Sequence, residues 1–459
     1  MQLYKLWYFL YFAGNSCLKP FLNVIFRRYG ISEDAIGTLA MLQPFISLPS
    51  GLIVSTIADK YRVHDKVLVG FVLASSVTRL TLYYFRGFWV IVLIVLVAGA
   101  CSAPCTILCD SSCTAACEAV GFESETYARQ RMYGAIGWGT FSLVSGYCID
   151  SFGIGAAFAL YGVLSVGTLV PSNRIDWAPL EEKLYKERGR MQSELGISSS
   201  QRQIGNKEFL EKMSSLMNAD VVLFFIMTAI MGTAVGTIEG FLFLFLEDLG
   251  SSSLLMGLTL TVTCISETGV FYWSGSIIDK LGINKCLHLC FAAFVIRLLL
   301  YTSMSWWSTV WLVLPVELLH GITFGLTWSV GSKKSALIAP PGLESTTQSV
   351  FQGLMFGLGY GLGGLIGGNV YKRMGPTATF ATELSIVCIG WLACGIGQIF
   401  VSNRMHQVSG SSHKMHSKYS SDLRDTVPHY YHPVESSDTA AVGTEISMSA
   451  MQGENGRET

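Results

Sequence analysis

The sequence predicts an all-α polytopic membrane protein: 12 transmembrane helices in two pseudo-symmetric halves of six. Three observations carry that expectation. Charged residues make up 14% of the 459 positions, against about 25% in ordinary soluble chains, too few to cover the surface of a soluble protein this long. Hydrophobic residues make up 51% and fall in blocks of about 20, the length that crosses a hydrocarbon core of about 30 Å. The second half of the chain also repeats the first at a nearly constant offset, the signature of a duplicated architecture.

The apolar blocks run in order. The first, 3–26, is too long for the core of a signal peptide and no small-residue cleavage pattern follows it, so it is expected to be a retained span. Further spans follow at 35–57, 67–86, 88–112, 131–150 and 153–171, then at 219–246, 254–276, 286–304, 308–331, 346–371 and 377–401. The expected domains are thus a six-helix bundle over 1–171, a cytosolic central loop over 172–218, a second six-helix bundle over 219–401 and a disordered cytosolic tail over 402–459. The central loop carries a series of basic residues from Arg174 to Lys212. The tail is rich in Ser, His and charge and lacks apolar periodicity; within it Tyr431-His432-Pro433-Val434 fits a tyrosine-based endocytic pattern. Placing the N-terminus inside puts most Lys and Arg on the cytosolic side, as the positive-inside rule requires, so both termini are expected in the cytosol. The plasma membrane is the default location, with endosomal and vacuolar membranes open. No N-x-[ST] sequon is present, and the 12 cysteines read mostly as reduced, buried side chains.

The repeat is detailed. At an offset of 220, Phe21-Leu22 falls on Phe241-Leu242, Gly30 on Gly250, Gly37 on Gly257 and Asp59-Lys60 on Asp279-Lys280. At 218, Arg79 falls on Arg297 within matching Val-x-Arg-Leu-x-Leu-Tyr stretches, and at 222 Gly137, Gly139, Gly146 and Gly153 fall on Gly359, Gly361, Gly368 and Gly375. Parallel repeats of this kind place a binding site near the bilayer midplane, between the halves.

The 6+6 layout, the long central loop and the Asp-Lys pairs after spans two and eight resemble the major facilitator superfamily. In that superfamily Asp59, Lys60, Asp279 and Lys280 occupy cytosolic hinge motifs. The first copy, Ala58-Asp59-Lys60-Tyr61-Arg62, lacks the usual glycine; the second, ending Leu281-Gly282, keeps it. Around Arg131-Met132-Tyr133-Gly134, Gly137-Trp138, Gly14, Pro20-Phe21, Arg297 and His320 the chain resembles the lactose permease group. Glu317 to Gly325 and Gly357 to Gly368 resemble its eukaryotic branch, the major facilitator superfamily domain-containing protein 6 type. The resemblance covers about 1–401 and implies a solute transporter working by alternating access. By analogy with the sugar permeases, the resemblance implies that Trp138 stacks on a sugar ring, Arg131 hydrogen-bonds its hydroxyls and Asp110 orients Arg131; the other reading is Arg131 as an anchor at the cytosolic border and Trp138 as a packing residue among glycines.

Charge within the spans needs a reason, because an ionisable group at mid-bilayer is costly unless paired or solvated. Glu267, Arg297, Glu317 and His320 all reach mid-depth, and Glu317 and His320 share a helix face at i, i+3. They read as a proton-coupling network, or else as a static ion-pair cluster. Since an adjacent cation favours the charged carboxylate, the sequence expectation is Glu267 as partner of Arg297, Glu317 as proton carrier and His320 as relay. The permease group places a carboxylate where this chain has Thr323. Lys19 and Glu239, related by the 220 offset, read as an outer gate, or as two residues reaching separately for the outer surface. Cys101, Cys105, Cys109, Cys113 and Cys117 recur every four residues, but that row wraps around the helix, so no metal site is expected. No Walker loop, HExxH or G-x-S-x-G is present, so neither an enzyme nor a cofactor is expected. A net charge of −1 gives no field for nucleic acid. The expected partners are a small polar solute, a sugar or nucleoside first, protons and the lipid bilayer, with the chain acting as a monomer. The other reading is a receptor or scaffold that retains the fold without transport.

Overall fold

A computed structural model of the chain describes residues 1–120, 124–195, 218–340 and 344–424. All regular structure among them is helical. The first rod is α1, Gln2–Leu18, a short 3-10 turn at Lys19–Phe21, and α2, Leu22–Arg28. Pro20 has no N–H to give the ladder, which is why the rod breaks there. Then come α3 (Glu33–Tyr61), α4 (His64–Thr81), α5 (Phe88–Ala119), α6 (Ser124–Phe152) and α7 (Gly155–Ser172). After α8 (Ala178–Leu195) the second half runs α9 (Ala219–Asp248), α10 (Ser253–Leu281), α11 (Ile283–Ser303), α12 (Val310–Ile338), α13 (Thr346–Met374) and α14 (Pro376–Arg424).

Among the described residues, 9 helices are long and apolar enough to cross a membrane. The rods matching the expected spans 3–26, 67–86 and 131–150 are present but fall outside that set. They are the rods that carry Lys19, Arg79 and Arg131, whose side chains line an internal cavity.

The sequence repeat extends to backbone conformation. Gly30 and Gly250 have φ of 83° and 73°, and Gly153 and Gly375 have 81° and 83°; all four close turns at the same end of the molecule. Arg62 and Gly282, again 220 apart, both end a helix with positive φ, 54° and 81°. The first copy of the hinge motif therefore holds an arginine at positive φ, in the left-handed helical conformation, where the second has a glycine at positive φ.

Contacts between the halves concentrate toward the end with those four turns. Arg27 pairs with Glu247 and, at 2.8 Å, with Asp248, while Arg28 reaches Glu247 at 2.8 Å. Lys372 pairs with Asp34 at 2.9 Å. The Asp150 carboxylate accepts the backbone N–H groups of Ser253 and Leu254, each at 2.8 Å, so a residue of one half caps a helix of the other. At two crossings glycine lets backbones touch. A methyl group on Gly146 would strike the Ser253 carbonyl and one on Gly257 the Ser142 carbonyl, where α6 meets α10. One on Gly37 would strike Gly364 and one on Gly368 the Glu33 carbonyl, where α3 meets α13. These hydrogen bonds and ion pairs between the halves, together with those of Thr261 with Gly139 and Asn23 with Gly240, lie at mid-depth or nearer this end.

Two expectations about the polar segments change. The stretch after α7 is not wholly a loop: α8 occupies its first part, and Ile175, Trp177 and Leu180 are buried, Trp177 stacking on His64 at 5.4 Å. The tail does not begin without structure, because α14 continues through Arg424; extending a formed helix is far easier than nucleating one. Tyr431 to Val434 lie outside the described residues.

Candidate functional site

Between the halves lies a cavity of about 1280 Å³. Its wall runs from Phe26 and Ile36 near the sealed end to Tyr127, Arg129 and Gln352 toward the other. Trp138, Arg131, Asp110, Lys19, Glu239, Glu267, Arg297, Glu317 and His320 all line it, so the substrate, coupling and gate residues expected from the sequence converge on one space.

On the first half, Asp110 of α5 accepts the Tyr8 hydroxyl at 2.6 Å and stands 3.6 Å from the Arg131 guanidinium. The Arg131 guanidinium lies 4.5 Å from the centre of the Phe12 ring and 5.3 Å from that of Tyr8, cation–π distances. Its buried Nη1 has no hydrogen-bond partner among the described residues. Trp138, two helical turns along α6 from Arg131, packs at a tilt 6.4 Å from Phe12. Phe12 thus lies against both Arg131 and Trp138 in the cavity wall.

On the second half, Arg297 of α11 is almost wholly buried and makes four contacts. Its Nη2 donates to Glu317 Oε2 at 2.5 Å, its Nε to the Tyr301 hydroxyl at 2.8 Å, and its Nη1 to Thr323 Oγ1 and His320 Nδ1, each at 3.1 Å. The Tyr301 hydroxyl donates to the other Glu317 oxygen. An arginine cannot accept, so His320 Nδ1 must be the acceptor, leaving its proton on Nε2. That Nε2 faces Glu267 Oε2 at 4.0 Å. Immediately after His320 the helix loosens into a π-helical stretch, Gly321–Leu326, a feature that recurs at functional sites.

This geometry corrects the expected pairing. Glu317, not Glu267, is the carboxylate bound to Arg297, and its side chain is 2% exposed. Glu267 is 25% exposed and faces the cavity. Depth along a span is legible from counting, but the rotation that turns Glu317 toward α11 and Glu267 away from it is set by packing.

Lys19 and Glu239 both open onto the cavity, yet they form no ion pair within 4.0 Å among the described residues; Glu239 lies beside Tyr360. The ion pairs that hold the sealed end are those of Arg27 and Arg28 with Glu247 and Asp248, about two turns further along the same rods. They obey the same 220 offset with opposite charge, a signal present in the sequence. The hinge-motif acids are engaged: Asp59 with buried His64 at 2.9 Å and Asp279 with Lys333 at 2.8 Å. Lys60 lies over the Tyr61 ring, and Lys280 is exposed. Sequence reading also passed over Glu383, which is 1% exposed and accepts the hydroxyls of Thr233 and Thr237 at 2.7 and 2.9 Å. This carboxylate joins α14 to α9 away from the cavity.

Two helical bundles related by an internal repeat, enclosing a cavity with charged side chains in its wall and one end sealed, define the transporter fold of the major facilitator superfamily. The chain belongs to the MFS_1 like family, which it matches over residues 1–382. It is 30% identical over 186 residues to the human major facilitator superfamily domain-containing protein 6-like, a match covering 40% of this chain and 31% of the human one. Over 164 residues it is 32% identical to the mouse counterpart, covering 35% and 27%. The matched stretch thus spans about a third of those relatives. Among solved structures it is similar to the nucleoside transporter NupG, with a TM-score of 0.69 at 16% identity, covering 87% of this chain and 98% of that one. It is also similar to a D-xylose-proton symporter, with a TM-score of 0.60 at 13% identity, covering 86% and 96%. At those identities the likeness is one of fold. The protein is an integral, multi-pass membrane protein of this superfamily.

Proposed function

We propose that the protein is a secondary transporter that moves a small polar solute by alternating access, in symport with protons. The observation that carries this reading is the cavity itself: it lies between repeat-related halves that ion pairs and glycine crossings join toward one end. In the orientation set by the positive-inside rule the sealed end faces outward, so this conformation is the inward-open one. In this reading the solute is a sugar or a nucleoside. Trp138 offers the face on which its ring stacks, Arg131 donates to its hydroxyls, and Asp110 with Tyr8 holds Arg131 in place. The nucleoside and xylose transporters of similar fold support that solute class.

The proton site in this reading is Glu267. Both oxygens of Glu317 are already taken, by Arg297 and by Tyr301. Glu267 faces the cavity with His320 as the nearest basic group; Glu239 and Arg131 act on it across the space. His320, with Nδ1 held by Arg297, presents Nε2 to Glu267 and reports solute or proton binding to the buried pair. Arg297 and Glu317 are then the fixed frame of the site. The test is uptake into proteoliposomes under an imposed proton gradient, compared with solute-for-solute exchange. Glu267→Gln should abolish gradient-driven accumulation and preserve exchange, because exchange needs no proton release. Accumulation that survives Glu267→Gln removes it as carrier. Failure of the folded protein to take up any member of a broad panel of sugars, nucleosides and their acidic derivatives, with or without a gradient, overturns the transporter reading.

A further inference from the structure

The two repeat-related arginines in the cavity wall are not equivalent. Arg297 has a carboxylate, Glu317, bound to its guanidinium. Arg79 of α4 occupies the matching position in the first half and is also buried, at 8% exposure. It donates to the side-chain oxygen of Asn15 and is hydrogen-bonded to the Tyr161 hydroxyl, both neutral partners. Tyr11 and Tyr161 lie beside it. No carboxylate stands within 4.0 Å of it among the described residues. The α5 segment from Val92 to Ala103, on the helix that corresponds to the one carrying Glu317, contains no acid. Arg79 lines the cavity together with Lys19, and the groups around Arg79 are neutral.

A buried guanidinium without a counter-charge is unfavourable unless something anionic joins it. The second half builds that anion into the protein. We infer that in the first half it arrives with the solute: Arg79 and Lys19 form a subsite for an anionic group, a carboxylate or phosphate, on the transported molecule. This deepens the proposed function, on which it rests for the role of the cavity. It narrows the solute from a neutral sugar or nucleoside to an acidic one, a sugar acid, sugar phosphate or nucleotide-like molecule whose ring still meets Trp138. Arg79 offers its planar fork of donors, suited to two oxygens at once, and Lys19 a mobile charge.

The experiment is thermal unfolding of the full-length purified protein with paired probes: glucose against glucuronate and glucose 6-phosphate, and uridine against uridine 5′-monophosphate. The acidic member of at least one pair should raise the midpoint while its neutral partner does not, and carboxylate against phosphate probes distinguish the two sources of charge. Arg79→Met should abolish that shift, Arg79→Lys should retain part of it, and apparent affinity should fall about tenfold or more, as loss of a charge-assisted hydrogen bond predicts. Without probe, Arg79→Met should unfold no earlier than wild type, whereas Arg297→Met, which strands Glu317, should unfold earlier. Neutral probes stabilising as well as acidic ones, no stabilisation by any acidic probe, or an acid-dependent shift that persists in Arg79→Met overturns the subsite. Acidic probes that bind through Arg79 without ever accumulating in proteoliposomes leave the subsite standing and overturn transport instead.

Discussion

The Arg297–Glu317 pair gives the sharpest test of how the site is built. Both side chains are almost fully withdrawn from solvent, at 4% and 2% exposure. Removing one partner leaves the other charge buried, which costs about 3–5 kcal/mol, whereas removing both in favour of apolar groups is often close to neutral. Arg297→Met should therefore destabilise by about 3–5 kcal/mol, and Glu317→Met by a similar amount, tempered because Tyr301, His320 and Thr323 still accept from the guanidinium. The double variant Arg297→Met/Glu317→Met should cost less than either single one, about 1–2 kcal/mol, reflecting the unmatched polar atoms of Tyr301 and Thr323. Unfolding by titration with a denaturing detergent, followed by tryptophan fluorescence, measures all corners of the cycle. If the double variant loses as much as the two single ones added together, the pair is not coupled and the frame described for the site is wrong.

Other substitutions probe the remaining parts. Trp138→Ala should weaken solute binding by about 1–3 kcal/mol by analogy with base–aromatic stacking, while Trp138→Tyr keeps an aromatic face and most of the affinity; equal affinity in all three removes Trp138 from the site. Glu247→Ala deletes two partly exposed ion pairs of the sealed end, worth about 0.2–1 kcal/mol each, and should increase labelling of a cysteine placed at Asn23 by an impermeant thiol reagent applied from outside; unchanged labelling refutes the seal. Arg62→Gly should stabilise the protein by about 1 kcal/mol, because a side chain in the left-handed region is strained by about that much; a loss of stability would mean the arginine side chain makes a compensating contact.

Much of this architecture was legible because duplication writes the same constraint twice. The repeat that aligns Gly30 with Gly250 and Gly153 with Gly375 also aligns their positive φ, since a tight turn leaves the same residue requirement in both copies. The membership of the cavity was legible too, because buried charge needs a polar space and the counts along the spans placed these residues at similar depth. Azimuth was not. Glu267 and Glu317 are both mid-span acids, and only the packing of α11 against α12 decides which meets Arg297. The seal was missed for a related reason: Arg27 and Arg28 sit at a span end, where a basic residue already has an interfacial explanation, so their opposite-charge mates at the repeat offset drew no attention. Glu383 was hidden because its partners are hydroxyls, which carry no charge signal in a sequence.

The glycine crossings have a mechanical consequence. Gly37 and Gly257 are repeat mates, as are Gly146 and Gly368, so the α6–α10 crossing and the α3–α13 crossing are two copies of one bearing, set on opposite sides of the pseudo-twofold axis. Backbone rides on backbone at each, so no bulky side chain stands between one rod and the other at these points. A bearing on one side alone would let the halves yaw. Two matching ones would favour a rotation about the line joining the bearings. In the alternating-access reading proposed above, the halves would then exchange which mouth is shut without shearing the cavity wall between them.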